Sequence, residues 1–379
     1  MVYCDDSIKA VINLDNIKHN IGLIKNRLKS ETAIAAVVKA DAYGHGAVRV
    51  SEAALEAGAS VLAVATSAEG VELREAGIKA PVIVLSRGEN YKADVLYDLT
   101  NCVFDTDAAV GLNEAAEAAG KVADIHIKIN TGMSRLGFNA TDPGSYNEIL
   151  KISTFKNLRI KGILSHYATA DIIAQREFAN VQSERFLKII TELEKRGLYI
   201  PVKHICNSGG IFNLPSMHLD MVRCGIAMYG CAPDDSLKDY GLKPALSLKS
   251  RILSIREVSP GETVSYGRRF TAGRPSRIAV VSGGYADGIK RIFSDNAYVL
   301  INGKRAPITG RVCMDVFMAD ITDIPDAKKG SEVIIIGESG SESLNADILG
   351  AGANTISYEI LTSISKRVPR EYIGSIGKK

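Results

Sequence analysis

Eight short apolar runs punctuate the first 240 residues, at 34–38, 61–65, 82–85, 102–104, 125–129, 160–164, 202–206 and 221–226. Continuous rather than alternating runs are the pattern of strands buried on both faces, as in a parallel sheet. Between them the apolar period lengthens to that of helices, at 48–57, 69–76, 112–119 and 178–193. In the last of these, Phe178, Val181, Phe186, Ile189, Ile190 and Leu193 fall near one face. A helix also stands near the start, where Ile17, Ile21, Ile24 and Leu28 repeat behind Asp15 and Asn16 as cap candidates. Eight strand–helix units in this length are what a closed (β/α)8 barrel requires. A doubly wound open sheet is the alternative, but no G-x-G-x-x-G follows the first run.

After Tyr240 the texture changes. Strands are predicted at 245–258, 277–282, 298–301, 311–321 and 332–336, with Asn302-Gly303 as a hairpin turn and one late helix at 356–364 before Pro369. The α/β chain thus reads as an N-terminal (β/α)8 TIM-type barrel over residues 1–240 and a mainly β domain over 241–379.

Composition narrows the function. A formal net charge of +3 gives no pull toward nucleic acid or an acidic membrane surface. The cysteines (Cys4, Cys102, Cys206, Cys224, Cys231, Cys313) are scattered without a Cys-x-x-Cys pair, and the histidines form no His-x-x-x-His pair. Reduced thiols of a cytoplasmic protein are expected, with no disulfide frame and no metal site. Asp5, Asp6 and Lys9 interrupt any signal-peptide pattern, and no apolar run approaches the roughly 20 residues of a membrane span.

A barrel presents its chemistry at the C-terminal strand ends, so the fold selects candidates. Those ends supply Lys39, Lys128 with Asn130, His166, Asn207 with Ser208, and Arg223 with Gly225. Lys39 ends an apolar run before a glycine-bracketed turn; it reads as a Schiff-base nucleophile or as a lysine closing a strand at the water boundary. Asn-Ser-Gly-Gly at 207–210 reads as a phosphate cradle or as an ordinary Ser N-cap. Taken alone, His166 reads as a satisfied structural histidine before a catalytic one, Arg223 as an ion-pair partner, and Lys128 as another boundary lysine. Together, a lysine, a phosphate cradle and a fixed cation suggest pyridoxal phosphate.

Ala-Val-Val-Lys-Ala-Asp-Ala-Tyr-Gly-His-Gly (36–46) closely resembles the cofactor-lysine motif of the alanine racemase family. So do Lys-Ile-Asn-Thr-Gly-Met-Ser-Arg-Leu-Gly (128–137), Ser-His-Tyr-Ala-Thr-Ala-Asp (165–171) and Arg-x-Gly-Ile-Ala-Met-Tyr-Gly (223–230). Gly-Glu-Thr-Val-Ser-Tyr-Gly (261–267), Gly-Tyr-Ala-Asp-Gly (284–288) and Gly-Arg-Val-Cys-Met-Asp (310–315) follow in order, so the resemblance covers both domains. It implies a head-to-tail homodimer with composite active sites. Lys39 would hold pyridoxal phosphate covalently. Tyr43, Ser208, the backbone of Gly225 and Ile226, and Tyr358 would bind its phosphate. Arg223 would face the ring nitrogen, and His166 would link Arg223 toward Tyr266, the catalytic tyrosine from the second subunit. Arg135 and Met314 would hold the substrate carboxylate, and Tyr285 would narrow the entrance, with Asp171, His204, Arg291 and Arg311 further out.

The resemblance implies a two-base racemisation of alanine, Lys39 serving the D-enantiomer and Tyr266 the L-enantiomer, with D-alanine going to peptidoglycan. Lys128 would be a candidate for carbamylation, as in several relatives. Three positions depart from the family pattern: Asp41 for a frequent Asn, Asn130 for a frequent Asp, and Cys224 for a frequent Pro. The rival readings are a racemase for serine or larger amino acids and a non-catalytic pyridoxal-phosphate carrier.

Overall fold

The computed structural model describes residues 7–86, 90–236, 239–294 and 296–374; Cys4, Asp5 and Asp6 lie outside them. These residues form two compact units, one of residues 17–42 and 47–242, the other of 7–16, 43–46 and 243–374.

The first unit is a nearly closed barrel of eight parallel strands: Ala33–Val37, Val61–Val64, Val82–Val84, Thr100–Val103, Ala123–Asn130, Leu158–Leu164, Val202–His204 and Met221–Cys224. We call these barrel strands one to eight. Strand eight returns to strand one in register, Arg223 opposite Ala35. Between strands seven and eight the ring is completed by Arg223 N donating to Cys206 O (3.0 Å) and Asp220 N to Lys203 O (3.2 Å). Ala35, Ile83, Cys102, Leu164 and Met221 meet inside, so the interior is a packed core and not a pore. Helices alternate with the strands. The longest, Arg176–Lys195, buries Phe186, Ile189, Ile190 and Leu193, while Phe178 and Val181 stay partly exposed.

The helix Leu14–Lys25 buries Ile17, Ile21 and Ile24; Leu28 lies beyond its end. Its cap is Asn13, whose Oδ1 accepts from Asp15 N (3.0 Å) and Asn16 N (3.1 Å), so those two residues stand inside the first turn instead of before it.

The second unit is built on a mixed sheet ordered Lys304–Pro307, Tyr298–Ile301, Glu332–Ser339, Leu246–Val258, Ile8–Asn13, Arg370–Ile373. Ser276–Ser282 joins the long strand and pairs onward with Val316–Asp320. The Asn302-Gly303 turn has φ of 49° and 74°, the two positive values a tight hairpin needs. Two expectations change. Residues 311–315 form a loop ahead of Val316–Asp320, because Cys313 N turns back onto Val316 O (2.9 Å). The single late helix is two, Ala346–Gly352 and Ser357–Thr362.

Candidate functional site

In the barrel, Lys39 stands two residues past the end of strand one. The four residues after it, Ala40, Asp41, Ala42 and Tyr43, all have φ between 51° and 54°, which makes the segment a turn of left-handed helix. L-residues disfavour this by about 1–2 kcal/mol each, so the surroundings must hold it. Ala40 N donates to Glu69 Oε1 (2.7 Å), Ala42 N to Val38 O (2.8 Å), and Ala47 N to Asp41 Oδ1 (2.8 Å). Asp41 therefore caps the helix Ala47–Glu56, a task that asparagine's amide oxygen also performs.

Lys39 is half-buried, and burial followed by the Arg135 charge lowers its pKa, with Arg223 adding and Glu69 opposing. Lys128 is buried, donates to Leu85 O (3.3 Å), and is likewise lowered, by burial first and by Arg223, Arg135 and Lys39 as well. Lys128, Arg135, Ser165 and His166 line one small cavity. Asn130 holds the loop carrying Arg135, its Oδ1 accepting from Gly132 N (3.0 Å) and Ser134 N (2.9 Å). Arg135 and Arg223 both act on Lys39 and Lys128, while Glu69 is the one carboxylate acting on Lys39, so the balance of charge favours an anionic occupant.

Arg223 is buried to 3 % exposure and donates to Ser165 O (2.7 Å), Ile205 O (3.0 Å), His166 Nδ1 (3.0 Å) and His204 Nδ1 (2.9 Å). Burial pulls its pKa down to about 10, which leaves it charged at neutral pH. A guanidinium only donates, so both imidazoles accept at Nδ1 and, being neutral, carry their protons on Nε2. The direction continues outward: His204 Nε2 donates to His126 Nδ1 (2.9 Å). Burial holds all three histidines down, His126 to about 4 and the other two well below the usual range. His204, expected near the entrance, is therefore corrected to a place inside the barrel, fully buried against Arg223.

The loop after strand seven is capped by Asn207, whose Oδ1 accepts from Gly210 N (3.0 Å), which corrects the Ser-cap alternative. Ser208 instead turns its hydroxyl to strand eight's exit, accepting from Gly225 N (3.2 Å) and Ala227 N (3.3 Å). Gly209 lies flat against the Ala170–Asp171 backbone, where a Cβ would meet it at 2.8 Å. Such a close-lying backbone, with a hydroxyl among amide donors, fits a phosphate. Cys224 is buried, with its thiol pushed up by burial. Ile226 is buried beside Gly225, and Asp171 is exposed.

Within the second unit, the Tyr43 and Tyr358 rings tilt together with centroids 5.7 Å apart. Tyr266 is 71 % exposed, Met314 53 % and Tyr285 46 %. Ser265, just before Tyr266, has φ 69° and ψ −179°, a region nearly confined to glycine. Its Oγ donates to Arg311 O at 2.7 Å, which anchors that backbone. The loops bearing Tyr285 and Met314 dock on each other: Tyr285 N donates to Cys313 O (3.0 Å) and Ala286 N to Met314 O (3.1 Å). Arg367 bridges them through Asp287 (2.6 Å) and Asp315 (2.7 Å). Arg291 and Arg311 line an open cavity of about 290 Å³ with Arg269, Ser294 and Asn296.

Sequence reasoning missed three supporting residues: Glu69, His126 and Gln182. The buried Gln182 donates to His166 O (3.1 Å) and Thr131 Oγ1 (3.1 Å) and accepts from Ala168 N (2.9 Å), fixing the backbone that carries His166. The His126 ring lies on Gly162, where a Cβ would sit 2.5 Å from it, a contact made only once the barrel has closed. Among the described residues no helix is long and apolar enough to cross a membrane, and no metal-binding cluster of His, Cys, Asp or Glu occurs.

Two family models match this chain: "Alanine racemase, N-terminal domain" over residues 12–233 and "Alanine racemase, C-terminal domain" over residues 245–372. An alanine racemase of Halothermothrix orenii is 42% identical, covering 97% of each chain. The solved alanine racemase of Clostridium difficile 630 superposes with a TM-score of 0.92 at 38% identity, over 97% of this chain and 96% of that one. The alanine racemase of Bartonella henselae, solved with covalently bound pyridoxal phosphate, superposes with a TM-score of 0.87 at 30% identity, over 97% and 99%.

Proposed function

The chain belongs to the alanine racemase family, and on that premise we propose that it interconverts L- and D-alanine with two bases, Lys39 and Tyr266. The buried Arg223 among carbonyls and neutral histidines is the observation that carries this reading. Racemisation needs a proton taken from one face of Cα and another returned to the opposite face. Lys39 Nζ, whose pKa burial and the Arg135 charge lower, serves the D face. The Tyr266 phenolic oxygen serves the L face, and the His166–Arg223 pair directs positive charge toward it.

Pyridoxal phosphate, when bound, weakens the Cα–H bond of an amino acid joined to it. Lys39 would hold it covalently; Tyr43, Ser208, Gly225, Ile226 and Tyr358 would take its phosphate. Arg223 would face the ring nitrogen and, because a guanidinium keeps its proton, would leave that nitrogen unprotonated. That limits electron withdrawal and so disfavours transamination. Arg135 and Met314 would hold the substrate carboxylate. Tyr285 would narrow the entrance with Tyr358, a fit for a methyl side chain over serine's or larger ones; Asp171, Arg291 and Arg311 would line the approach. Lys128 would be carbamylated, its amine adding carbon dioxide and giving up a proton, and the new carboxylate would pair with Arg135.

Residues 1–240 would bind the cofactor, and residues 241–379 would lend Tyr266 to the second subunit of a homodimer. The exposure of Tyr266, Tyr285 and Met314 supports that reading. The enzyme would work in the cytoplasm, its D-alanine going to peptidoglycan.

The test is incubation of purified protein and pyridoxal phosphate with L-alanine, or with L-serine, in D₂O, beside Tyr266→Phe. Fast D-alanine formation with Cα deuteration, lost in the variant while the cofactor–lysine absorbance remains, is expected. Faster serine turnover would reassign the substrate. Bound cofactor with no Cα exchange would leave a carrier.

A further inference from the structure

We propose that Glu69 is a positioning residue for Lys39: its carboxylate holds the first amide of the left-handed turn and so fixes where Nζ stands. Glu69 is the third residue of the helix Ser67–Glu75 and forms a capping box with Thr66. Its N donates to Thr66 Oγ1 (3.3 Å), and Oε2 accepts from Thr66 N (3.2 Å) and Ala65 N (2.7 Å). An ordinary capping box ends there. Here the second oxygen, Oε1, reaches Ala40 N at 2.7 Å, so one carboxylate ties the exit of barrel strand two to the residue after Lys39.

The bond is charge-assisted and placed where the backbone needs it. Ala40 opens a run of four residues in the left-handed region, a conformation that persists only when neighbours over-determine it. The same carboxylate is the anion set against Arg135 and Arg223 at Lys39. Losing it would let the turn relax and move the lysine. The proposal rests on Lys39 as the residue that holds the cofactor.

Glu69→Gln keeps the size but sets an amide N–H₂ against backbone N–H groups. We expect kcat to fall about 10- to 100-fold, as for a reacting group displaced by roughly an ångström, with KM for alanine changed less than about threefold. In hydrogen exchange, the peptide spanning residues 38–46 should exchange about tenfold faster or more. Glu69→Asp keeps the charge but is too short to reach both ends, so it should lose both as well. Thr66→Ala removes the other half of the capping box and should leave kcat and this exchange at parental values. Parental kcat and exchange in Glu69→Gln or Glu69→Asp would overturn the proposal. So would a Thr66→Ala variant that falls as far, because cap stability would then explain the loss. Lys39→Ala that still shows the cofactor–lysine absorbance would overturn the reading of Lys39, while the exchange result would still judge the Glu69 bond.

Discussion

Below about pH 6.5 an unfolded chain takes up protons on His126, His166 and His204 that the folded chain refuses, because burial holds each imidazole neutral. The unfolded state then binds more protons, so stability is full above the unfolded pKa and falls as pH drops. For His126 the window runs from 6.5 down to about 4. By pH 5 that one residue should cost about 2 kcal/mol. Thermal unfolding at pH 7 and pH 5 checks this: His126→Asn should lose less on acidification than the parent does. An equal loss would mean that His126 is not the group being titrated. Lys39, His166 and Arg223 were legible as candidates because a barrel puts strand ends to use and those residues end strands. His126 was not, since its partners His204 and Gly162 lie far along the chain and only barrel closure brings them together.

Elements tell a similar story. The eight barrel strands could be read because both their faces are buried and their runs are continuous. The strand Ile8–Asn13 was missed, although Ile8, Ala10 and Ile12 alternate inward, because six alternating residues directly before a strong helical repeat carry a weak signal. Its partners, Leu246–Val258 and Arg370–Ile373, are the far end of the chain, beyond any local pattern. The docked loops 284–288 and 310–315 were visible as motifs but not as partners. Gly284 shows why the motif needs glycine: a Cβ there would lie 2.3 Å from Cys313 O and Met314 O. Backbone cannot move aside cheaply, so Gly284→Ala should cost about 1–3 kcal/mol and displace both Tyr285 and Met314. Its melting temperature should fall and KM for alanine should rise. A variant with a parental melting temperature and KM would show that these loops do not position the substrate.

On the scale of the whole molecule, a composite site makes a prediction that no single chain can satisfy. Lys39→Ala and Tyr266→Phe should each be inactive alone. If each site takes Lys39 from one subunit and Tyr266 from the other, a mixed dimer regains one intact site of two. Random exchange makes half the dimers mixed, so unfolding and refolding the two together should restore about a quarter of parental activity. No recovery from a mixture shown to contain mixed dimers would place both bases on one chain.

The left-handed turn after Lys39 also orders events in time. Non-glycine residues visit positive φ only a few per cent of the time, so a coil holds four such residues in a row about once in a million instances. The lysine's setting is therefore absent from early, loosely collapsed chains and arises when Val38 and Glu69 are already in place. During refolding with pyridoxal phosphate, the cofactor–lysine band should grow in with the last structural phase, behind the helical signal. A band that grew with the helices would show that the turn forms early. Colour would then report maturity: a half-built molecule stays pale, and reactive chemistry is switched on by completion of the fold itself.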